Sequence, residues 1–242
     1  MSAWWTSPLI VGHRGGRGAG WPPENTLAAF ERARAEGATA VELDVRTCAG
    51  GTVVVFHDAT LARMTGERDP RRVSEVPESE LLGIDLGGAT IPTLAAVLAW
   101  ARASNVAVNV EMKHGVPRRR TLVRATLDAV HASGADVLLS SFDPSLLSLA
   151  AALAPSIPRA FLTEAQQPAW ARALQEAARP PLVQVLHLER TAATADLVAR
   201  YRRRGLRVGA WTVNDLAEAR ELVRLGVASI ITDHPGELLG SL

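Results

Sequence analysis

Short apolar runs alternate along the chain with longer Ala-, Leu- and Arg-rich segments whose apolar positions recur at helical spacing. The short runs predict strands at Leu9–Gly12, Ala40–Val45, Ala107–Glu111, Val137–Ser141, Arg159–Leu162, Val183–Leu186, Arg207–Thr212 and Ser229–Thr232. The longer segments predict helices over Asn25–Glu36, Leu94–Ala103, Arg118–Ser133, Gln167–Ala178, Thr191–Arg204 and Leu216–Leu225. Gly37, Gly134, Gly205 and Gly226 stand just past four of these, where a left-handed C-terminal cap favours glycine. Helix, glycine and strand follow one another to the end of the chain. That is the βα alternation of a parallel α/β sheet with eight strands.

One run breaks the alternation. Thr52–His57 (TVVVFH) follows the second strand too closely for a parallel crossover, which takes about a dozen residues or more. It predicts a hairpin, with Gly50–Gly51 as a two-residue turn. In that register position 49 faces 52, and Asp44 lies directly opposite His57, on the same side of the pair. Glu42 shares the face of Asp44 through the period of two. From Asp58 to Ile91 no clean period persists, and the stretch reads as a small insertion over one mouth of the sheet, with a short helix around Ser79–Leu82.

A length of 242 residues fits one large domain or two small ones. Eight βα units plus an insertion over about 58–91 consume it, so one domain over 1–242 is expected. A formal net charge of +1 gives no general electrostatic reason to bind nucleic acid or an anionic membrane. The single Cys48 excludes an internal disulfide framework and a multi-cysteine zinc or iron–sulfur site. The first residues, MSAWWTSPLIVGHRGG, lack the basic start and long apolar stretch of a secretory signal. The longest uncharged segment, Leu86–Ala101, is interrupted by Gly87, Gly88, Thr90, Pro92 and Thr93 and makes a poor membrane span. A cytoplasmic protein without stable membrane insertion is the expectation.

Polar residues gather at the C-terminal ends of the predicted strands. His13 and Arg14 follow the first, Glu42 and Asp44 end the second, and Glu111 and Lys113 end the third. Ser141 and Phe142 close the fourth, Trp211 and Asn214 the seventh. In a parallel barrel those ends form one face, where active sites lie. Three carboxylates converging there repel one another unless something positive neutralises them. A hard divalent cation held by Glu42, Asp44 and Glu111 answers this, and oxygen ligands without thiolates favour Mg²⁺ or Ca²⁺ over zinc. The alternative is a structural ion-pair network with Arg14, Arg46 and Lys113. His13 and His57 beside such a group could move protons to and from a nucleophile and a leaving oxygen. Arg14 and Lys113 supply positive charge for a phosphoryl group.

Other conspicuous residues have ordinary readings. His114, His131 and His187 are read as hydrogen-bonded core histidines, and His234 is left without a role. Arg118–Arg120 and Arg202–Arg204 read as solvated helix faces, Trp4 and Trp5 as a cover for the barrel bottom, and Cys48 as an incidental small residue at the hairpin tip.

Eight motifs carry a family resemblance: GHRGG (12–16), PENT (23–26), ELD (42–44), FHD (56–58), EMK (111–113), SSF (140–142), AWTVN (210–214) and TDHP (232–235). In that order they resemble the glycerophosphodiester phosphodiesterases, from near residue 8 to about 240. The resemblance implies a TIM (β/α)8 barrel with a small insertion after the second strand. It also implies metal-dependent cleavage of a small-molecule glycerophosphodiester into an alcohol and sn-glycerol 3-phosphate, Mn²⁺ joining Mg²⁺ and Ca²⁺ as candidate cations. By position, the catalytic histidines fall on His13 and His57, and the metal-binding acids on Glu42, Asp44 and Glu111. Arg14 and Lys113 match phosphate-holding residues, Phe142 and Trp211 aromatics near the substrate, and Glu24 and Asn25 residues that support the site. The resemblance further implies attack by a glycerol hydroxyl and a cyclic phosphate that water opens. His13 is then the first base and His57 the acid, the roles exchanging between steps. One departure stands out: Cys48-Ala49-Gly50-Gly51 replaces the usual TxDG turn, and Gly-Gly can make that turn unaided. Two other functions keep the same residues: a lysophospholipase D-like activity on lysophospholipids, which would want a broad apolar mouth around Trp21, Phe142 and the insertion, and a noncatalytic phosphate-binding barrel.

Overall fold

The computed structural model describes residues 2–5 and 7–241. Nine strands form one sheet: β1 (Leu9–Gly12), β2 (Ala40–Thr47), β3 (Val53–Val55), β4 (Ala107–Met112), β5 (Val137–Ser141), β6 (Arg159–Thr163), β7 (Val185–Glu189), β8 (Arg207–Trp211) and β9 (Ser229–Thr232). All but β3 run parallel, in the order β1-β9-β8-β7-β6-β5-β4-β2, and β1 pairs with β2 to close the barrel. The helices are α1 (Leu27–Ala35), α2 (Glu78–Leu81), α3 (Leu94–Ser104), α4 (Arg119–Ser133), α5 (Pro144–Leu153), α6 (Ala169–Ala177), α7 (Ala195–Arg203), α8 (Leu216–Arg224) and α9 (Pro235–Leu239). This is the TIM barrel the sequence leads one to expect. No helix among the described residues is long and apolar enough to cross a membrane.

The period of two divides each strand. Ile10, Leu43, Val108, Val110, Met112, Leu139, Leu186, Val208 and Ile230 face outward into the layer of helices, and all are buried there. The opposite faces meet inside the barrel, where Leu9, Val11, Ala40, Ala107, Leu138, Ala160, Val185 and Ile231 pack with Trp4 into a separate cluster. Trp4 thus closes the bottom as expected. Trp5 does not: it is 42% exposed, with the Arg207 guanidinium 5.9 Å from its ring centroid.

The hairpin differs from its expected register. Cys48 N–H donates to Thr52 O at 3.0 Å and Gly51 N–H to Cys48 O at 3.0 Å, so the loop has three residues, 49–51, with Gly51 at φ +90°. Such loops place glycine in the left-handed position after a type I turn. The extra loop residue shifts the pairing by one: Val45 faces Val55, and Phe56 N–H reaches Asp44 O at 2.9 Å. Asp44 is therefore opposite Phe56, and His57 lies beyond the ladder. The insertion then folds back on the hairpin, burying Leu61, Val73, Val76, Leu81 and Ile91 against Cys48, Val54 and Phe56. Its short helix α2 falls within one residue of the expected position.

Helix α5 escaped the periodicity because its sequence, PSLLSLAAAL, is apolar nearly all round. Its start was legible nonetheless: Asp143 caps it through Ser145 N–H at 2.9 Å, and Pro144 occupies the first turn.

Candidate active site

The C-terminal ends of the strands open into a cavity of about 550 Å³, lined among others by His13, Arg14, Glu42, His57, Glu111, Lys113, Phe142 and Trp211. Glu42 and Asp44 leave β2 on its inner face, and Glu111 leaves β4 beside them, since Asp44 pairs in register with Glu111. One carboxylate oxygen from each of the three lies within 4.8 Å of the other two, and all three side chains are buried. Lys113 also faces inward, with Nζ 3.2 Å from Asp44 Oδ1 and 2.7 Å from Glu111 Oε1, while Met112 between them packs outside.

Arg14 and Asn25 position the β2 carboxylates. Arg14 stands at φ +53°, its backbone N–H donating to Glu42 Oε2 at 3.1 Å and its Nε 3.2 Å from Asp44 Oδ2. Glu24 holds the Arg14 guanidinium at 2.8 Å and also accepts from Arg63 at 2.6 Å. Asn25 was expected inside a helix. It stands outside, at φ +61°, and Thr26 caps α1 in its place. Asparagine tolerates that conformation, and its freed amide donates to Asp44 Oδ2 at 2.8 Å and accepts from Asp44 N–H at 3.2 Å.

The charges are unevenly compensated. Burial works to raise the Asp44 carboxyl, but Lys113, Arg14 and His57 outweigh it and hold the group well below the ordinary carboxylate range. Burial, then Asp44 and Glu111, push Glu42 well above that range. Glu111 is also raised, by burial first, with Lys113 opposing. Three carboxylates thus contact two fixed cations, with Arg46 a third on the same cavity wall, and Glu42 lacks one of its own: His13 Nε2 is 4.0 Å away. A divalent cation fits this oxygen set. It would turn the centre from near neutral to positive, suited to a phosphodiester anion.

Both histidines are oriented by carboxylates. His13 Nδ1 lies 2.8 Å from Asp233 Oδ1, and His57 Nδ1 lies 2.6 Å from Asp58 Oδ1. Burial opposes ionisation of Asp233, yet His13, Asn214 and Arg17 hold its carboxyl at about 2. An ionised carboxylate can only accept, so each Nδ1 carries the proton and each Nε2 is left for other chemistry. Burial lowers the His57 pKa, with Lys113 and Arg14 adding to it against Asp44. Phe142 and Trp211 meet edge to face at 5.4 Å on the cavity wall.

Comparison with known proteins places this arrangement. The glycerophosphoryl diester phosphodiesterase family matches residues 13–237. The chain belongs to that family. It is 30% identical over 241 residues to the glycerophosphodiester phosphodiesterase of Caldanaerobacter subterraneus, covering 96% of each chain. Its fold resembles an Oleispira antarctica phosphodiesterase solved with the product sn-glycerol-3-phosphate (TM-score 0.85, 27% identity, 97% of this chain and 96% of that one). It also resembles the glycerophosphodiester phosphodiesterase of Thermotoga maritima (TM-score 0.76, 27% identity, 96% and 97% covered).

In this member of the family the histidine partners, Asp58 and Asp233, were missed by sequence reasoning. Their signals were present. Asp58 adjoins His57, and β1 pairs with β9 so that Gly12 faces Thr232, which sets His13 beside Asp233. The three histidines read as hydrogen-bonded core residues behave otherwise. His114 is exposed on the cavity rim, 6.1 Å from Phe142, and His131 is exposed on α4. His187 is buried in the barrel with neither ring nitrogen hydrogen-bonded among the described residues, and burial lowers its pKa to about 4. Arg202–Arg204 are exposed, as expected of a solvated helix face, and Arg204 pairs there with Glu176 at 3.3 Å.

Proposed function

We propose that the chain hydrolyses glycerophosphodiesters to an alcohol and sn-glycerol 3-phosphate, as a single barrel domain over 1–242 with its insertion at about 58–91. One observation carries the reading: two histidines, each locked at Nδ1 by a carboxylate, share a cavity with three clustered buried acids. Glu42, Asp44 and Glu111 would hold one divalent cation, Mg²⁺ or Ca²⁺ with Mn²⁺ as a further candidate. Once bound, such an ion stabilises charge developing on nonbridging phosphoryl oxygens.

The chain's own residues do the rest. Arg14 and Lys113 bind the phosphate and neutralise its charge. His13 Nε2 takes the proton of a glycerol hydroxyl as its oxygen attacks phosphorus, and His57 Nε2 protonates the departing alcohol oxygen. A cyclic phosphate results. In the second step His57, now neutral, takes a proton from water attacking phosphorus, and His13 returns its proton to the glycerol oxygen. Asp233 and Asp58 keep both rings in the tautomer these transfers need. Phe142 and Trp211 line the substrate's path, and Glu24 and Asn25 hold Arg14 and Asp44 in place.

A coupled assay for glycerol 3-phosphate from glycerophosphocholine, with and without chelator, tests the reading. Turnover that stops on chelation and returns with Mg²⁺, Ca²⁺ or Mn²⁺ is expected. No turnover of any glycerophosphodiester with any of the three would overturn it.

A second reading, lysophospholipase D-like action, is favoured by a groove of about 580 Å³ that joins the cavity at His114, Phe142, Leu162 and Glu164. Phe161, Pro144 and Pro168 give it an apolar wall. Of the mouth expected from the sequence the groove keeps Phe142 but neither the insertion nor Trp21, which packs instead against Gly16 and the Arg32 guanidinium. Product analysis with lysophosphatidylcholine separates the two readings.

A further inference from the structure

Beneath the three carboxylates the barrel interior holds an uncommitted amide. Asn109 lies on the inner face of β4, two residues before Glu111, and pairs in register with Glu42 on β2. It is 1% exposed, and it lines the cavity beside Leu162 and Ile231. Neither Oδ1 nor Nδ2 has a hydrogen-bond partner among the described residues. A buried amide left that way carries a desolvation penalty that a matching partner removes.

Asn109 is not a brace for the acids. It stands next to Glu42 and below Glu111 yet bonds to neither, whereas Asn25 engages Asp44 with both of its amide atoms. Its chemistry selects an occupant. An amide offers both an acceptor and donors, the complement of a hydroxyl, which both donates and accepts. Phosphoryl oxygens only accept, and they have Arg14 and Lys113 above. The aliphatic neighbours Leu162 and Ile231 suit the carbon backbone of a small polyol.

We propose that Asn109 is a specificity-determining residue that hydrogen-bonds the distal, sn-1 hydroxyl of the substrate's glycerol moiety. The vicinal hydroxyl is then left to attack phosphorus, and the leaving alcohol points toward the mouth at Phe142 and His114. The proposal rests on the glycerophosphodiester reading.

The test compares glycerophosphocholine with the corresponding phosphocholine diester of propane-1,2-diol, which keeps the vicinal hydroxyl and lacks the distal one. The wild-type protein is expected to favour the glycerol diester by about 20-fold in kcat/KM, the discrimination of one buried hydrogen bond. In Asn109→Leu, of similar size, and in Asn109→Ala, the ratio falls to within about 3-fold, chiefly through loss on the glycerol substrate. Because each variant is scored by a ratio of two substrates, a general loss of activity does not move the result. An unchanged ratio in the variants, or no discrimination by the wild type, would overturn the proposal. Calorimetric binding of sn-glycerol 3-phosphate against propane-1,2-diol 1-phosphate decides the same question without turnover. If neither diester is cleaved but the binding ratio holds and collapses in the variants, the activity reading fails and the hydroxyl site stands.

Discussion

Asp233 links the last strand to the first and should reveal itself in the pH dependence of stability. The residue is 7% exposed, and its carboxylate accepts from His13 Nδ1 at 2.8 Å and from Asn214 Nδ2 at 2.9 Å, with Arg17 Nε at 3.3 Å. Those partners outweigh the burial that opposes ionisation and bring its pKa from 3.8 to about 2. At about 1.4 kcal/mol per decade this is worth about 2 kcal/mol of stability at neutral pH. The folded-state value is depressed, so the contribution is fully present above 3.8 and is lost as the pH falls through about 2. Half of it, about 1 kcal/mol, should remain at pH 3.

The perturbation is Asp233→Asn. The new amide can still accept from His13, but it sets one NH₂ against that of Asn214, whose Oδ1 is already engaged by Thr232 Oγ1 and by the backbone N–H of residue 233. Urea unfolding of both proteins at pH 7 and pH 3 is the assay. With a slope of about 3 kcal/mol per molar, the ionic loss alone moves the midpoint by about 0.7 M at pH 7. The difference between the two proteins should shrink by about 1 kcal/mol at pH 3, whatever other groups titrate, because they titrate in both. A difference independent of pH would refute the argument: the carboxylate would then act as a neutral acceptor, not as a charge. The same substitution should lower kcat about 100-fold, since an amide, which can donate as well as accept, no longer obliges His13 Nδ1 to carry the proton and leave Nε2 free.

Three further outcomes follow from the geometry. His13→Ala and His57→Ala should each lower kcat by about 10²–10⁴-fold while leaving divalent-cation affinity within a few-fold, read by steady-state kinetics and calorimetry. Saturating Mg²⁺ or Ca²⁺ at about 100 times its dissociation constant should stabilise the protein by about 2.7 kcal/mol in thermal unfolding, and Glu42→Gln should abolish most of that gain. Gly209→Ala should destabilise by about 1–3 kcal/mol, because its Cβ would clash with Ser229 Oγ and come 2.5 Å from His187 Cδ2, which urea unfolding would register.

What the sequence made legible depended on how local the cause was. Strand and helix periodicity read out the barrel because alternation and helical spacing are local and repeated eight times. Gly37, Gly134, Gly205 and Gly226 all have positive φ, as their places after helices require. The inward parity of Glu42, Asp44, Glu111 and Lys113 needed only the period of two. What stayed hidden depended on a neighbouring strand or on a single loop residue. Asp233 becomes a partner of His13 only through the β1–β9 register. Asn25 looked like the first residue of a helix, and only Thr26, one position on, shows which of them is the cap.

The hairpin is the instructive failure, because the residue it was used to place still reaches the site. A two-residue turn put His57 opposite Asp44; the three-residue turn puts Phe56 there instead and sends that side chain into the small core beneath the insertion. A one-residue slip reverses every side chain of a regular strand, and would have turned His57 away from the acids. The ladder ends at Val55, however, so His57 is not bound by the alternation. Its backbone carbonyl is held by Arg46 Nε at 2.8 Å and its ring by Asp58, which Arg63 of the insertion grips in turn at 2.5 Å. Arg63 also reaches Glu24, and through it Arg14. The insertion therefore ties His57 to Arg14 across the cavity, and the side-chain network, not strand pairing, fixes where the second histidine stands.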